Sequence, residues 1–373
     1  MVRLGVIGMG KMGLSHLSIA NPDPDVDVVG ICDTTGYVLD VLGKYTGLPT
    51  FEDFRTMMDE TELDAVVVAT PSRSHFQVAR EALARGLHVF VEKPLALSIE
   101  DGEALVQGAD DAGVVNQVGY HYRFVGAFQE AKRLLDAGAI GELHNYRAEA
   151  YGPVVLRPKG RTWRSRRNEG GGCLYDYASH AVNMVNWLFG PPSEAGGSVV
   201  KDVFSRDVDD EVYATLYNAE GLTGQLCVNW ADETHRKMSL RVEIWGKKGR
   251  INVDRQECQI YLRDEPNPKL GMAQGWNVRY TTELTSPVRF YVRGEEYSAQ
   301  LDYFLHKVRS GATDNVNSFA TALETDRVLE AIRRDSEIGA RTRVGARARP
   351  EAGGGLRGWL SRFGASRPDG DRN

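Results

Sequence analysis

Asp176 and His180 stand four apart at the end of a segment that opens on Gly170, Gly171 and Gly172. On a helix that spacing puts both on one face, roughly 40° apart. A carboxylate and an imidazole presented together suit proton transfer, the imidazole taking a hydroxyl proton as hydride leaves the carbon. Two other readings stay open: a metal site, although two ligands are too few and no third stands in the motif, and an ordinary Asp–His pair on a helix surface. The glycines matter because a left-handed entry lets the helix end face a crevice. Lys93 is the third group. It follows the apolar run His88 to Val91 in Glu92-Lys93-Pro94, and at a strand end its ammonium can polarise a carbonyl or exchange a proton with an alcohol oxygen. A surface lysine paired with Glu92 satisfies the same sequence.

A second constellation lies at the start of the chain. Val2, Leu4, Val6 and Ile7 form an apolar run, and Gly8-Met9-Gly10-Lys11-Met12-Gly13 follows with the spacing G-x-G-x-x-G. In that pattern Gly8 makes the turn, Gly10 lets the backbone approach a pyrophosphate, and Gly13 lets the following helix pack closely. The pyrophosphate would rest on free N–H groups at the helix N-terminus. Asp33 comes about twenty residues later, after a second apolar run, where a carboxylate accepts hydrogen bonds from the adenosine ribose. Its charge repels a 2′-phosphate, and Thr34, Thr35 and Gly36 offer no cation to neutralise one, so NAD is favoured over NADP.

The elements that would position these groups alternate strand and helix through residue 120. Strands are expected at Val26 to Cys32, Pro49 to Phe51, Asp64 to Ala69, His88 to Val91 and Val114 to Val118. Helices are expected between them, the last starting after Ser98 as N-cap. This is a doubly wound parallel sheet, an α/β Rossmann fold with its crevice at the carboxyl ends of the strands. From 121 to 344 the pattern changes to a helix near Phe128 to Ala137 and strands at Leu143 to Ala150, Glu211 to Asn218, Gly224 to Trp230, Ser239 to Trp245 and Arg250 to Val253. That range reads as an α+β domain with a large, mainly antiparallel sheet, closed by helices near Glu295 to Arg309 and Ser318 to Ile338. Residues 345–373 form a Gly- and Arg-rich tail in which Leu356, Trp359, Leu360 and Phe363 make one short apolar stripe. A disordered tail, a helix docked on a neighbouring copy and a membrane-surface helix all accommodate it.

At 373 residues two domains are the natural expectation. The chain is 42% hydrophobic and 26% charged with net charge −6. That balance is globular and gives no electrostatic reason for nucleic-acid binding. Cys32, Cys173, Cys227 and Cys258 form no C-x-x-C pair and read as reduced thiols. No leader and no run of eighteen apolar residues is evident, so a cytoplasmic protein without an integral membrane segment is expected.

Together these blocks resemble the glucose-fructose oxidoreductase, inositol dehydrogenase and rhizopine-catabolism (GFO/IDH/MocA) family. The resemblance runs through Gly8 to Gly13, Ala69-Thr70-Pro71 to His75, Glu92-Lys93-Pro94, Tyr122-Arg123-Phe124, Trp163-Arg164 and Gly170 to His180, in the family's order. It implies that Lys93 is the active-site lysine, Asp176 the substrate-orienting carboxylate and His180 the general acid/base. It also implies cofactor contacts at Thr70, Pro71, His75 and Glu92, and less firmly at Trp163 and Arg164. The open sheet face would join copies into a homodimer or homotetramer.

The chain departs from the family in carrying Tyr120-His121-Tyr122 where many members place Asn before Arg-Phe. His121 and Arg123 thus join Trp163 and Arg164 as candidate substrate contacts. The stretch 157–167 holds five Arg and one Lys, which fits either a solvated loop or a subsite for an acidic or nucleotide-linked sugar. The reading as a whole is an NAD-dependent dehydrogenase acting on a CH–OH group of a small sugar, cyclitol or sugar derivative. The alternatives are an NAD-dependent glycosidase using transient oxidation and a non-catalytic sensor of NAD or sugar.

Overall fold

In the computed structural model, residues 1–156, 163–265 and 268–347 are described, with side chains to 340. The chain begins β1 (Val2–Ile7), α1 (Lys11–Ala20), β2 (Val26–Cys32), α2 (Gly36–Thr46), β3 (Thr50–Phe51), α3 (Phe54–Glu60), β4 (Ala65–Val68), α4 (His75–Ala84), β5 (His88–Val91), α5 (Ile99–Ala112) and β6 (Asn116–Val118). These strands make one six-stranded sheet in the order β3-β2-β1-β4-β5-β6, with every pairing parallel. β4 is buried at all four positions, as a strand covered by helices on both faces must be. Ser98 caps α5 by accepting from the Asp101 N–H at 3.1 Å. The strand order reverses between β1 and β4, and the crevice at their carboxyl ends is where such sheets bind ligands.

The chain continues with α6 (Gly126–Asp136), β7 (Leu143–Tyr151), α7 (Ser179–Phe189), β8 (Glu194–Lys201), β9 (Glu211–Tyr217), β10 (Thr223–Asn229), β11 (Arg241–Gly246), β12 (Gly249–Asp254), β13 (Glu257–Leu262), β14 (Gly275–Tyr280), α8 (Thr281–Leu284), α9 (Glu295–Ser310) and α10 (Phe319–Arg347). Its eight strands form a second sheet, β14-β13-β12-β11-β7-β10-β9-β8, antiparallel except for the β7–β10 pair. Alternation decides which face is covered. Tyr146, Ala148, Ala150, Val212, Leu216, Val242, Ile244, Ile251 and Val253 point into a core shared with α6 and α7. The opposite face carries Arg147, Glu149, Arg241, Glu243 and Arg250, where Glu243 meets Arg147 at 2.9 Å, Arg241 at 2.6 Å and Arg250 at 3.1 Å.

Three features differ from expectation. The sheet has β8, β13 and β14 besides the expected strands. β8 was masked by its two adjacent glycines and a register shift between Gly196 and Val199. The strand expected from Val114 starts only at Asn116, and the helix expected from Phe128 starts at Gly126. Lastly, α9 does not close the second sheet. Its Leu301, Phe304 and Leu305 share a core with Val2, Leu4, Val6 and Phe90 of the parallel sheet. α10 spans both layers: Phe319, Ala322 and Leu323 join the first core, while Val328, Leu329 and Ile332 join the second. An amphipathic period shows that a helix has a buried face but not which sheet covers it. Residues 348–373, including the apolar stripe of the tail, lie outside the described residues.

The phosphate-type turn is set by two close approaches. Gly8 has φ +95°, and a Cβ there would lie 2.7 Å from the backbone of Ala69 and Thr70. A Cβ on Gly13 would lie 1.7 Å from the Gly8 carbonyl oxygen, whereas one on Gly10 would meet nothing within 4 Å. Gly13→Ala should therefore destabilise the protein by about 2–3 kcal/mol or more, lowering Tm by several degrees in thermal unfolding followed by circular dichroism. Gly10→Ala should leave Tm unchanged.

Candidate active site

The crevice is built first from backbone. Gly10 precedes α1, whose first residues are Lys11 and Met12, so the positive end of that helix lies at the carboxyl end of β1. Met9 is buried beneath the turn. Asp33 closes the far side: its Oδ2 accepts the Met9 N–H at 2.6 Å and its Oδ1 the Thr35 N–H at 2.9 Å. The strand-end carboxylate and the glycine turn are thus one unit. Open space over Gly10, a helix N-terminus and an acid at the β2 end fit a dinucleotide with an unphosphorylated ribose.

The exits of β4 and β5 are tied together. His75 lies fully buried at the start of α4, with Nδ1 2.7 Å from the Pro94 carbonyl and Nε2 2.9 Å from the Thr70 carbonyl. Burial lowers its pKa against the pull of both carbonyls. The neutral ring has one N–H and donates to one of the two carbonyls, the other lying in close contact with the bare nitrogen. Thr70 keeps a buried hydroxyl without a partner, next to Pro71. Glu92 accepts from His16 of α1 at 2.7 Å. Burial alone would raise the Glu92 carboxyl, but the hydrogen bond from His16 and the charge of Lys93 outweigh it and hold the group below the ordinary range. His16 escaped sequence reasoning, since one histidine within a helix carries no spacing signal.

Lys93 crosses from the first sheet to the second. Its Nζ donates to Asp176 Oδ1 at 2.7 Å and to the Asp176 carbonyl at 3.1 Å, while Arg164 Nε donates to Asp176 Oδ2 at 2.7 Å. Asp176 is 4% exposed. Burial would push its carboxyl up, and the two cations together hold it below its usual value. Trp163 flanks both cations, its ring centre 5.9 Å from Lys93 Nζ and 4.6 Å from the Arg164 guanidinium.

Asp176 and His180 do not share a plain α-helical face. Residues Leu174–Ala178 form a single π turn that runs into α7. The widened turn sends the carboxylate to Lys93 and Arg164, and no hydrogen bond joins it to His180. His180 is 6% exposed and lies beside Tyr120, His121 and Tyr122. Burial first, then the charges of Lys93 and Arg164, hold its pKa well below the ordinary value, which leaves a neutral imidazole at physiological pH.

The other sequence candidates part company. His121 lines the same wall as His180. Arg123 does not: it is buried, with Nε on Asn183 Oδ1 at 2.8 Å, Nη2 on the Asn183 carbonyl at 3.1 Å and Nη1 on the Val316 carbonyl. Its guanidinium anchors α7 to the chain before α10. Of the arginine-rich stretch, residues 157–162 lie outside the described residues. Arg164 and Arg166 pair with Asp176 and Glu169, and Arg167 donates to the Asp207 carbonyl. These arginines serve the protein's own acceptors. Among the described residues no group of three or more His, Cys, Asp or Glu side chains could hold a metal ion, and no helix is long and apolar enough to cross a membrane.

A glycine turn and a strand-end acid at the switch point of a β3-β2-β1-β4-β5-β6 sheet define a dinucleotide-binding α/β protein. Residues 2–120 match the GFO/IDH/MocA model of an oxidoreductase family with an NAD-binding Rossmann fold, and residues 128–252 match the GFO/IDH/MocA C-terminal domain. The chain belongs to the GFO/IDH/MocA family of NAD-binding oxidoreductases. It is similar to the scyllo-inositol 2-dehydrogenase (NAD(+)) of Bacillus subtilis (strain 168), 26% identical over 332 residues that cover 87% of this chain and 91% of that one. It is also 26% identical to the levoglucosan dehydrogenase of Pseudarthrobacter phenanthrenivorans over 331 residues, 79% of this chain and 82% of that one. A solved levoglucosan dehydrogenase in complex with NADH shares the fold with a TM-score of 0.81 at 23% identity, covering 90% of this chain and 97% of the other. GenD2 from gentamicin A biosynthesis, in complex with NAD, gives 0.74 at 26% identity, covering 91% and 95%.

The acid limb of stability follows from Asp176. Its pKa is lower folded than unfolded, so its contribution is full above the unfolded value of about 4 and is lost as pH falls through the folded value. Denaturant unfolding between about pH 5 and 2 should show a steeper loss in the wild type than in Asp176→Asn. At neutral pH, Asp176→Ala should cost on the order of 3 kcal/mol, because Lys93 and Arg164 then face each other without a counter-charge.

Proposed function

We propose that the protein is an NAD-dependent dehydrogenase that interconverts a secondary alcohol and a ketone of a sugar, cyclitol or sugar derivative. The observation that carries this is the placement of a neutral, buried His180 beside the Lys93–Asp176–Arg164 ion-pair array at the carboxyl edge of the parallel sheet. Nicotinamide, when bound, supplies the hydride acceptor or donor. Gly8 to Gly13 would hold the pyrophosphate and Asp33 the ribose, with Thr70, Pro71, His75 and Glu92 forming the inner wall of that site.

In this reading the neutral His180 takes the hydroxyl proton. Lys93 sits where its ammonium stabilises the charge left on oxygen, and Asp176 fixes that ammonium in place. Keeping water from the site protects the step and strengthens each charge interaction. The substrates named for the inositol and levoglucosan dehydrogenases support a polyhydroxylated, uncharged substrate class. Pairing of Arg164 and Arg166 with Asp176 and Glu169 removes the described part of the case for an acidic sugar. The half-open face of the second sheet is the surface on which we place contacts between copies.

Purified protein should produce NADH from NAD with at least one member of a panel of cyclitols, aldoses, sugar acids and nucleotide sugars. Lys93→Ala and His180→Asn should each lower kcat/KM by roughly 100-fold or more while still binding NAD by calorimetry. Confirmed NAD binding with no NADH formation across the panel would overturn the proposal, and aglycone release in that setting would identify a glycosidase instead. Asp33→Ala should weaken NAD binding about tenfold and leave NADP binding equal or tighter.

A further inference from the structure

We propose that Tyr120, His121 and Tyr122 form a positioning box for His180, three consecutive rings that fix the plane of its imidazole and keep water from it. The proposal rests on the reading of His180 as the proton-exchanging group, and it concerns how that ring is held.

An imidazole that must meet its substrate in one orientation is ordinarily fixed by a hydrogen bond on its far nitrogen. His180 has no such bond: its Nδ1 is buried without a partner. Three edge contacts take its place. The centroids of Tyr120, His121 and Tyr122 lie 5.8, 5.1 and 5.3 Å from that of His180, with interplanar angles of 87°, 67° and 75°. These are edge-to-face geometries of the attractive kind.

The box is itself braced. His121 is sandwiched between Tyr122 at 4.5 Å and Tyr297 of α9 at 4.4 Å. The Tyr120 carbonyl accepts from Asn317 at 2.8 Å. Arg123, next along the same turn, holds Asn183, three residues past His180 on α7. One short turn therefore supplies the rings and fastens them to the helix that carries their target.

The charged and titratable groups around His180 are Lys93 after β5, Arg164 and Asp176 on the second-sheet side, and the box residues. Asp326 of α10 stands behind Tyr120, and Arg255, Arg293 and Glu92 lie beyond His121. His121 is pushed down to about 3, chiefly by burial. What His121 gives the box is its ring, stacked on Tyr122 and Tyr297.

This separates a ring from a polar group. In the full chain labelled with 15N-histidine, the His180 signal is the one of 8 histidines lost in His180→Gln. The wild type and His121→Phe should show one neutral tautomer across about pH 5 to 8. In His121→Asn, water enters, a second tautomer appears and the apparent pKa rises by about one unit or more, a tenfold gain in proton affinity. Thermal unfolding and NAD calorimetry verify that each variant is folded, and Tyr122→Leu replaces His121→Asn if that variant is not. The proposal is overturned if His180 titrates at its ordinary value in the wild type, if the ring-deleting variant leaves pKa and tautomer unchanged, or if His121→Phe behaves like His121→Asn. Because this readout needs no substrate, it stands or falls separately from the turnover assay.

Discussion

The buried carboxylate of Asp176 is the constraint on which the two halves of the molecule depend. A charge removed from water that far must be met by opposite charge and by hydrogen bonds, or it is not tolerated. One cation, Lys93, comes from the exit of the parallel-sheet strand β5; the other, Arg164, comes from the segment leading to the second sheet's helix. Neither layer can satisfy Asp176 alone. Compensating one carboxylate thus sets the direction of the lysine and the entry to α7, and the same cations add to burial in keeping His180 neutral.

The parallel half was legible because its signals are local. Strand, glycine turn and helix follow one another within a few dozen residues, and Asp33 falls where the next strand must end. The chemistry-bearing residues Lys93, Asp176 and His180 could be singled out for the same reason. Their mutual geometry could not. A single π turn changes which neighbours Asp176 and His180 meet, and one widened turn leaves no trace in residue spacing. The stack of His121 on Tyr297 joins residues far apart in the chain, and the destination of Arg123 depends on Asn183 and Val316. Likewise β13, with clean alternation, could have been found, whereas the glycines of β8 hide its period.

Helices α9 and α10 show how chain order and spatial order diverge. After completing the second sheet the chain returns to the first, laying Leu301, Phe304 and Leu305 against β1, then passes through Phe319 and Leu323 to the antiparallel layer. α10 also accepts hydrogen bonds beyond its apolar face: Asp335 and Ser336 take the backbone N–H groups of Ser198 and Val200 at 2.7 and 2.9 Å, where the irregular strand β8 leaves them available. The bulged edge strand is thereby completed by a helix rather than by another strand.

The uncovered face of the second sheet has a colloidal consequence. A broad sheet with one bare side would ordinarily be adhesive, yet this one satisfies its buried Glu243 with three arginines of its own and leaves aromatic side chains, Tyr217, Tyr261 and Trp276, toward its two margins. The centre of that face is therefore charged and paired rather than apolar. Any molecule that settles on that face must displace no charge already matched, so its hold has to come from shape and from the aromatic margins, and added salt should loosen it little.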